Sequence, residues 1–122
     1  MIAKAKKKKR KSPTARSLEQ LRKDGYTAEV VERSLPHFFV SKDFFGFADI
    51  IYVTGASIVA LQVTAGTHHS HRKIKILAEP RALLWLKAGG LIEIHTWNEQ
   101  GPRGEDKKWV CRKEEIIESD FA

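Results

Sequence analysis

Two polar side chains stand inside neighbouring apolar segments, and they are the residues best suited to chemistry. Asp49 lies in the apolar stretch 47–54 and Gln62 in the stretch 58–64, with a turn at Gly55 between them. A lone carboxylate in a buried strand is costly unless it is paired or holds a cation. If the two strands form a hairpin, Asp49 and Gln62 approach each other near its open end. This pattern indicates a site for chemistry there.

The ligands on offer at this place are all oxygens. A carboxylate from Asp49, the amide oxygen of Gln62, a backbone carbonyl such as that of Val63, and waters suit Mg²⁺ or Mn²⁺. A cation of this kind neutralises a phosphodiester and activates water. The alternative interpretation is that Asp49 caps a strand end and Gln62 hydrogen-bonds to the backbone, because one negative charge is little for a divalent ion.

A histidine cluster follows the second apolar stretch. His68, His69 and His71 lie where a strand gives way to a helix, next to Arg72. An imidazole there is able to shuttle protons near neutral pH or, when charged, to contact phosphate. The sequence offers no third and fourth ligand for a transition metal. The alternative is two exposed histidines and one capping interaction.

The positive charge is concentrated at the start of the chain. The net charge is +7, and the first 11 residues carry seven cations and no acid. The 15 basic residues that follow equal the 15 acidic residues of the chain. A run of like charge without apolar partners does not fold, so residues 1–11 are predicted to be a disordered basic arm. Such arms bind phosphate backbones. The predicted nucleic-acid-binding residues are Lys6, Lys7, Lys8, Lys9, Arg10, Lys11, His69 and Arg72.

The remaining pattern predicts an α/β protein with a mixed sheet. The expected order is helix 12–24, strand 26–34, loop or hairpin 35–46, strands 47–54 and 58–64, a helix restarted or kinked at Pro80, strand 91–97, exposed loop 98–107 and strand 109–112. Three consecutive strands favour a meander, and the helical crossover permits a parallel partner. No glycine-rich phosphate loop follows a strand, so a Rossmann unit is not indicated.

Length and composition narrow the class of protein further. Residues 12–122 are long enough for a single domain with one core. No apolar run approaches the ~20 residues that span a bilayer, so no membrane partner is expected. A single cysteine, Cys111, excludes an internal disulfide framework and fits a reducing compartment. We therefore expect a cytoplasmic protein.

With these elements in place, residues 13–97 resemble the PD-(D/E)xK nuclease superfamily. The similarity covers the element order, the segment Gly46-Phe47-Ala48-Asp49-Ile50-Ile51 and the strand Leu61-Gln62-Val63-Thr64 thirteen positions later. The Holliday-junction-resolvase-like and VRR-NUC-like branches, and a group of small phage proteins with Phe-Gly-Phe-x-Asp and Gln-x-Thr signatures, are the most similar. The resemblance implies a restriction-endonuclease-like core of order α-β-β-β-α-β with an added C-terminal strand.

The resemblance also implies roles for individual residues. Asp49 matches the metal-binding aspartate, Gln62 occupies the place of the second acid, and Thr64 that of the catalytic lysine. The last two are departures, since an amide binds metal weakly and threonine brings no positive charge. The predicted substitutes are Glu19, Glu29 or Glu32 for the acid, with Glu32 best placed, and Lys73 or a histidine for the lysine. For each acid, an ordinary solvated carboxylate is the alternative.

Three functions remain open at this point. The leading one is a DNA-binding, metal-dependent endonuclease, implied by the resemblance to act on branched DNA as a homodimer, since resolvases of this fold pair two sites. The second is a nucleic-acid-binding module that kept the fold without the chemistry. The third is an interaction protein whose basic arm docks on a nucleoprotein or an acidic partner.

Overall fold

The fold is a mixed α/β arrangement, as the sequence pattern predicts. The computed structural model describes residues 11–35, 40–102, 104 and 106–121. Its helices are α1 (Pro13–Lys23), α2 (His69–Leu77), α3 (Pro80–Lys87) and a terminal 3-10 helix (Glu118–Phe121). Its strands are β1 (Thr27–Val30), β2 (Arg33–Leu35), β3 (Val40–Lys42), β4 (Ile50–Val53), β5 (Ile58–Ala65), β6 (Leu91–Gln100) and β7 (Lys108–Ile116).

Five of these strands form one sheet, in the order β1-β4-β5-β6-β7. The pairs β1–β4, β4–β5 and β6–β7 are antiparallel, whereas β5 and β6 are parallel. The parallel pair requires a crossover, and α2 and α3 supply it. Both the meander and the parallel partner are thus present. Strands β2 and β3 form a separate two-stranded hairpin beside the sheet.

The helix boundaries follow local sequence signals. The Ser12 side chain accepts a hydrogen bond from the Ala15 backbone N–H at 3.1 Å, and Pro13 occupies the first helical position of α1. Pro80 starts a new helix and does not merely kink the old one. It follows Glu79, whose carboxylate caps α3 by accepting from the Arg81 backbone N–H at 3.1 Å.

The sheet has a core on each face. On one face α1 packs against Tyr52, Leu61 and Val63, while on the other α2 and α3 cover Ile92 and Ile94. Strand β5 is central, so residues 59–64 are buried on both faces. Alternation along β5 places Gln62 and Thr64 on the face of α2 and α3.

Four predicted boundaries were wrong. The expected strand 47–54 begins only at Ile50, because residues 45–47 form a turn that the Phe44–Ala48 bridge closes. The expected strand 26–34 divides into β1 and β2, because the backbone N–H groups of Val31 and Glu32 turn to the Asp49 carbonyl oxygen, at 2.9 and 3.4 Å. The expected loop 98–107 begins only after Gln100, since β6 pairs with β7 up to that residue. Strand β7 continues through 113–116, beyond the expected end at Arg112.

None of the helices in the described part of the chain has the length and apolar character needed to cross a membrane.

Candidate functional site

Asp49 lies immediately before β4, with its carboxylate held by the neighbouring strand. Its Oδ2 accepts from Gln62 Nε2 at 2.6 Å and from the Val63 backbone N–H at 2.8 Å. Its own backbone N–H donates to the Leu61 carbonyl at 2.8 Å. Asp49 is only 3% exposed. The predicted approach of Asp49 to Gln62 is therefore confirmed, and the antiparallel register of β4 and β5 produces it.

Two further carboxylates converge on Asp49. Oxygens of Glu32, Asp43 and Asp49, which we call the acid cluster, all lie within 4.8 Å of one another. Glu32 follows β1 and Asp43 follows β3, so the hairpin and the sheet edge together bring them to Asp49. Glu32 was one of the acids predicted from the sequence, and it is the one that reaches the site.

The cluster changes the ionisation of its most buried member. Burial raises the pKa of Asp49 to about 8, and the nearby carboxyl groups of Asp43 and Glu32 add to the increase. The hydrogen bond from the Val63 backbone N–H acts in the opposite direction. Since carboxylates this close do not all ionise readily, Asp49 holds a proton at neutral pH unless a cation replaces it.

Cationic side chains from α2 border the same recess, which has a volume of about 440 Å³. Lys75 Nζ lies 2.8 Å from Asp43 Oδ2, and Arg72 lines the recess with them. The buried Nε atom of Arg72 has no hydrogen-bond partner among the residues described. Arg72 was predicted from the sequence to bind nucleic acid, and the structure places it at the acid cluster.

The donor set fits a hard divalent cation. Gln62 is 2% exposed, and its Oε1 has no hydrogen-bond partner in the described part of the chain. Its Nε2 lies 2.6 Å from Asp49 Oδ2 and 3.4 Å from the Val63 carbonyl oxygen. Turning this amide over would place Oε1 beside those two oxygens, which repel it unless a cation or proton lies between them. Carboxylate, amide and carbonyl oxygens are the ligands that Mg²⁺ and Mn²⁺ prefer.

Two residues proposed for catalysis, Thr64 and Lys73, do not line this recess. Thr64 is buried in β5 opposite Thr96 of β6, and it is absent from the lining that the described residues provide. Lys73 Nζ instead lies 2.6 Å from Glu114 Oε2 on β7. Residues 72 and 75 share one side of α2 while residue 73 is turned by roughly 100°. Lys75, and not Lys73, therefore brings the positive charge to the cluster.

The prediction that His69 contacts nucleic acid is also wrong, because the side chain is buried and hydrogen-bonded within the protein. Its Nδ1 lies 2.6 Å from Thr96 Oγ1 and its Nε2 lies 2.7 Å from Glu114 Oε1. The ring is 5% exposed. Both nitrogens are thus engaged inside the protein, and His69 does not present a charge to phosphate. Hydrogen bonds from Lys73 and then His69 lower the pKa of Glu114.

The other predicted residues lie at the N-terminal end, on α1 and on β1. Lys11 Nζ forms an exposed ion pair with Glu19 Oε2 at 2.6 Å, and Glu29 lies 3.7 Å from Arg22. Glu19 and Glu29 therefore have partners away from the acid cluster. The remaining arm residues lie outside the described residues: Lys6, Lys7, Lys8, Lys9 and Arg10.

Sequence reasoning missed Asp43 and Lys75. Asp43 opens the segment Asp-Phe-Phe-Gly-Phe-Ala-Asp that ends at Asp49, so a signal was available. Gly46 takes a φ of +77°, and the Phe44 backbone N–H donates to the Ala48 carbonyl at 2.8 Å. This turn folds the segment on itself and brings its two acids together. The glycine between two aspartates could have predicted a turn that brings the two acids together.

A second polar cluster lies on the opposite face of the sheet. Trp97 Nε1 donates to Ser17 Oγ at 2.8 Å, and Ser17 Oγ lies 3.0 Å from His95 Nδ1. His95 Nε2 lies 3.8 Å from Glu93 Oε1, to which the Tyr52 hydroxyl also donates. We call these five residues the histidine network.

In the histidine network, a serine, a histidine and an acid follow one another as in a catalytic triad. Unlike the serine of a triad, however, Ser17 is not accessible to a substrate. Ser17 is 0% exposed and His95 is 2% exposed, so no substrate reaches the hydroxyl. When Ser17 donates to Nδ1, the ring proton lies on Nε2 and faces Glu93. Proximity to His95, and then the Tyr52 hydrogen bond, lower the pKa of Glu93. The network is a buried support that joins α1 to β6.

Comparisons of the chain with protein-family models, with curated proteins and with solved structures found no match.

Proposed function

We propose that this protein is a metal-dependent endonuclease that binds DNA and hydrolyses its phosphodiester bonds. The observation that carries the proposal is the meeting of Glu32, Asp43 and Asp49 with the buried Gln62 amide. The oxygens of this set match a hard divalent cation, Mg²⁺ or Mn²⁺. The recess beside them is open and bordered by Arg72 and Lys75. Acids for the metal and cations for the phosphate thus lie together.

The topology supports a restriction-endonuclease-like core. In the main sheet the chain runs α1, β1, β4, β5, the α2–α3 crossover, β6 and then β7. This agrees with the order α-β-β-β-α-β with an added C-terminal strand, the β2–β3 hairpin being an insertion. Within the PD-(D/E)xK nuclease superfamily, we propose that the protein belongs to the Holliday-junction-resolvase-like branch. Its substrate would then be branched DNA, its working form a homodimer and its location the cytoplasm.

The residues of the cluster have separate roles under this proposal. Asp49, Asp43 and Glu32 would hold the cation, with the Gln62 amide oxygen and the Val63 carbonyl as neutral ligands. When bound, the cation neutralises the phosphate and activates water. Asp49 would give up its proton as the cation enters, because its raised pKa keeps it protonated otherwise.

Lys75 and Arg72 act on the substrate side of the recess. The Lys75 ammonium, 2.8 Å from Asp43, is free to turn to a phosphate oxygen once the cation compensates that carboxylate. Arg72 contributes a guanidinium whose Nε has no partner among the residues described, and a phosphate oxygen is its natural acceptor. These two cations replace the lysine that Thr64 does not supply.

A second candidate is the nucleic-acid-binding module without catalysis. The observation that favours it is the internal compensation of the cluster. Gln62 Nε2 already donates to Asp49 Oδ2, and Lys75 already pairs with Asp43. The Gln62 amide N–H and the Lys75 ammonium then stabilise the carboxylates in place of a metal ion. Under this function, the cluster is a structural joint between the hairpin and the sheet.

Cleavage assays with a matched variant separate these two functions. Full-length protein is incubated with labelled four-way junction, linear duplex and single-stranded DNA, with Mg²⁺, with Mn²⁺ or with chelator. We expect metal-dependent cleavage by the wild type and its loss in Asp49→Asn, which keeps the side-chain shape and the acceptor for Val63. Circular dichroism spectra of both proteins check that the fold is retained.

Binding of DNA without cleavage, in every metal, would overturn the proposal and leave the non-catalytic module. Equal cleavage by Asp49→Asn would also overturn it, since the charge of Asp49 would then be unnecessary.

A further inference from the structure

A second groove adjoins the acid cluster and combines cations with an exposed aromatic ring. It has a volume of about 210 Å³, and Arg33, Lys42, Phe45 and Arg81 line it. Asp43 lines both this groove and the recess of the acid cluster. The groove and the recess that contains Asp49 therefore adjoin at Asp43. We call it the aromatic groove.

Phe45 is held in this groove by an unusual backbone conformation. Its φ is +52°, in the left-handed region that bulky side chains rarely adopt. Its side chain is 42% exposed, although Phe44 beside it packs against the core. The ring meets Trp85 edge-on, with centroids 6.5 Å apart. A strained residue that points an aromatic ring to solvent is a feature typical of ligand contacts.

The cations of the groove are placed as a pair. Arg33 and Lys42 are register partners across the β2–β3 hairpin, so their side chains leave the same face. Like charges directly opposite each other destabilise a hairpin. Neither forms an ion pair with any residue in the described part of the chain. An anion between the two would relieve this repulsion.

Arg81 completes the lining and restricts the ligand. Its guanidinium carbon lies 6.0 Å from the centroid of the Phe45 ring, and its NH2 group pairs with Glu79 at 2.6 Å. The Phe44 ring also lies against the Phe45 ring, with centroids 4.2 Å apart, so the 42% of Phe45 that stays exposed is the surface left for a flat ligand. A ligand with one phosphate and one flat ring matches the whole lining.

We propose that the aromatic groove binds one unpaired nucleotide, with its phosphate between Arg33 and Lys42 and its base stacked on Phe45. The proposal rests on the nuclease function above and names its substrate class: DNA with an unpaired strand next to the cleaved bond. A base in a duplex is stacked on both sides and does not reach the ring. Fully paired DNA therefore lacks this contact.

Fluorescence of a 2-aminopurine base tests the stacking directly. Full-length protein in chelator is titrated with a 12-nucleotide single strand that carries 2-aminopurine, and with the same strand in a blunt duplex. We expect quenching of the single strand, and about fivefold or tighter binding of it than of the duplex. Without metal, cleavage does not interfere.

Variants separate the ring from the fold. Phe45→Asn removes the ring but tolerates positive φ, so the turn is retained, whereas Phe45→Tyr keeps the ring. We expect Phe45→Asn to abolish quenching and weaken single-strand binding by about tenfold, and Phe45→Tyr to preserve both. The double variant Arg33→Gln/Lys42→Gln should lower the slope of log affinity against log salt concentration by about 1.4. The control is Lys113→Gln, which removes an exposed cation on β7 outside the groove and should leave quenching unchanged.

Each result bears on one proposal. Any of three results would overturn the aromatic groove as a nucleotide site. Quenching could be unchanged in Phe45→Asn, or it could be absent in the wild type. A poly-glutamate peptide could also displace the labelled single strand as well as unlabelled single-stranded DNA does. Metal-dependent cleavage by the same preparations would leave the nuclease proposal standing. Quenching without cleavage in any metal would overturn the nuclease and leave the nucleotide site.

Discussion

The acid cluster and the histidine network are both polar groups beside one sheet, but they differ in how far their hydrogen bonds are satisfied. In the histidine network, Trp97 donates to Ser17, Ser17 lies within hydrogen-bond distance of His95, and Tyr52 donates to Glu93, whose Oε1 lies 3.8 Å from His95 Nε2. None of the buried side-chain polar atoms that lack a partner among the described residues belongs to this network. In the acid cluster, three carboxylates converge, and the buried Oε1 of Gln62 is left without a partner in the described residues.

This difference indicates which cluster supports the fold and which has a function. A satisfied buried network holds elements together, and removing one member leaves the others unpaired. Converging acids make folding harder, because burial and repulsion raise the pKa of Asp49 to about 8. Residues that oppose stability yet occupy an open recess are expected at functional sites. The two clusters therefore predict opposite responses to mutation.

The largest expected effect is the loss of cleavage in Asp43→Asn. Removing this ligand charge should reduce the cleavage rate by about 100-fold or more, because the cation loses one of its three carboxylates. The melting temperature should fall by no more than about 3 °C, because the loss of the partly buried ion pair with Lys75 is offset by relief of the repulsion between Asp43 and Asp49. Cleavage rates and thermal melts of both proteins measure this.

The control for Asp43→Asn is Asp24→Asn, a carboxylate at the end of α1. It should cleave at the wild-type rate. If the two variants lose activity equally, the acid cluster has no special role.

The histidine network should show the reverse pattern. His95→Ala removes the partner of the buried Ser17 hydroxyl and leaves a cavity, so we expect a loss of about 3 kcal/mol in the free energy of unfolding. Urea unfolding measures this value. Cleavage per folded molecule should stay within about twofold of wild type. A stable variant with reduced cleavage would mean that the network takes part in the chemistry.

Two lysines of α2 allow a matched test of the positive charge. Lys75→Gln should lower the cleavage rate about tenfold, because Lys75 borders the recess. Lys73→Gln should change it by less than about twofold, since Lys73 pairs with Glu114 on β7. Equal rates for the two variants would remove Lys75 from the proposed site. Single-turnover cleavage with saturating metal is the measurement.

The smallest effect is a pH dependence of stability in chelator. In the folded protein the pKa of the Asp49 carboxyl is raised to about 8, whereas in the unfolded chain the carboxyl has its ordinary pKa of 3.8. Its contribution to stability is therefore complete at low pH and is lost as the pH rises through about 8. We expect wild type to lose a few degrees of melting temperature relative to Asp49→Asn between about pH 5 and 9.

Thermal melts of the two proteins in parallel measure this difference. Adding Mn²⁺ at the high pH should restore the wild type and leave Asp49→Asn unchanged. Parallel pH curves would show that Asp49 ionises normally.

Much of the fold could be read from local signals. Ser12-Pro13 and Gly25 bound α1, Pro80 separates two helices, and apolar stretches mark β4 and β5. A loop or hairpin was predicted at 35–46, but the strands of the β2–β3 hairpin were not located, because they have three residues each and leave little periodic pattern. The end of β6 was placed too early, since pairing with β7 extends it through polar residues.

For the site, the sequence by itself determined that Asp49 and Gln62 are polar residues in two apolar stretches, and that a tight turn between these stretches brings them together. Only the tertiary structure decided which other groups join them. Asp43 and Glu32 reach Asp49 because a turn at Gly46 and a hairpin fold over the sheet edge, contacts that no strand period encodes. The phase of α2 against the sheet likewise decided that Lys75 faces the acids while Lys73 and His69 turn to Glu114. The sequence does not fix that phase, because α2 carries cations on several of its sides. Packing against the sheet decides which one of those sides is buried.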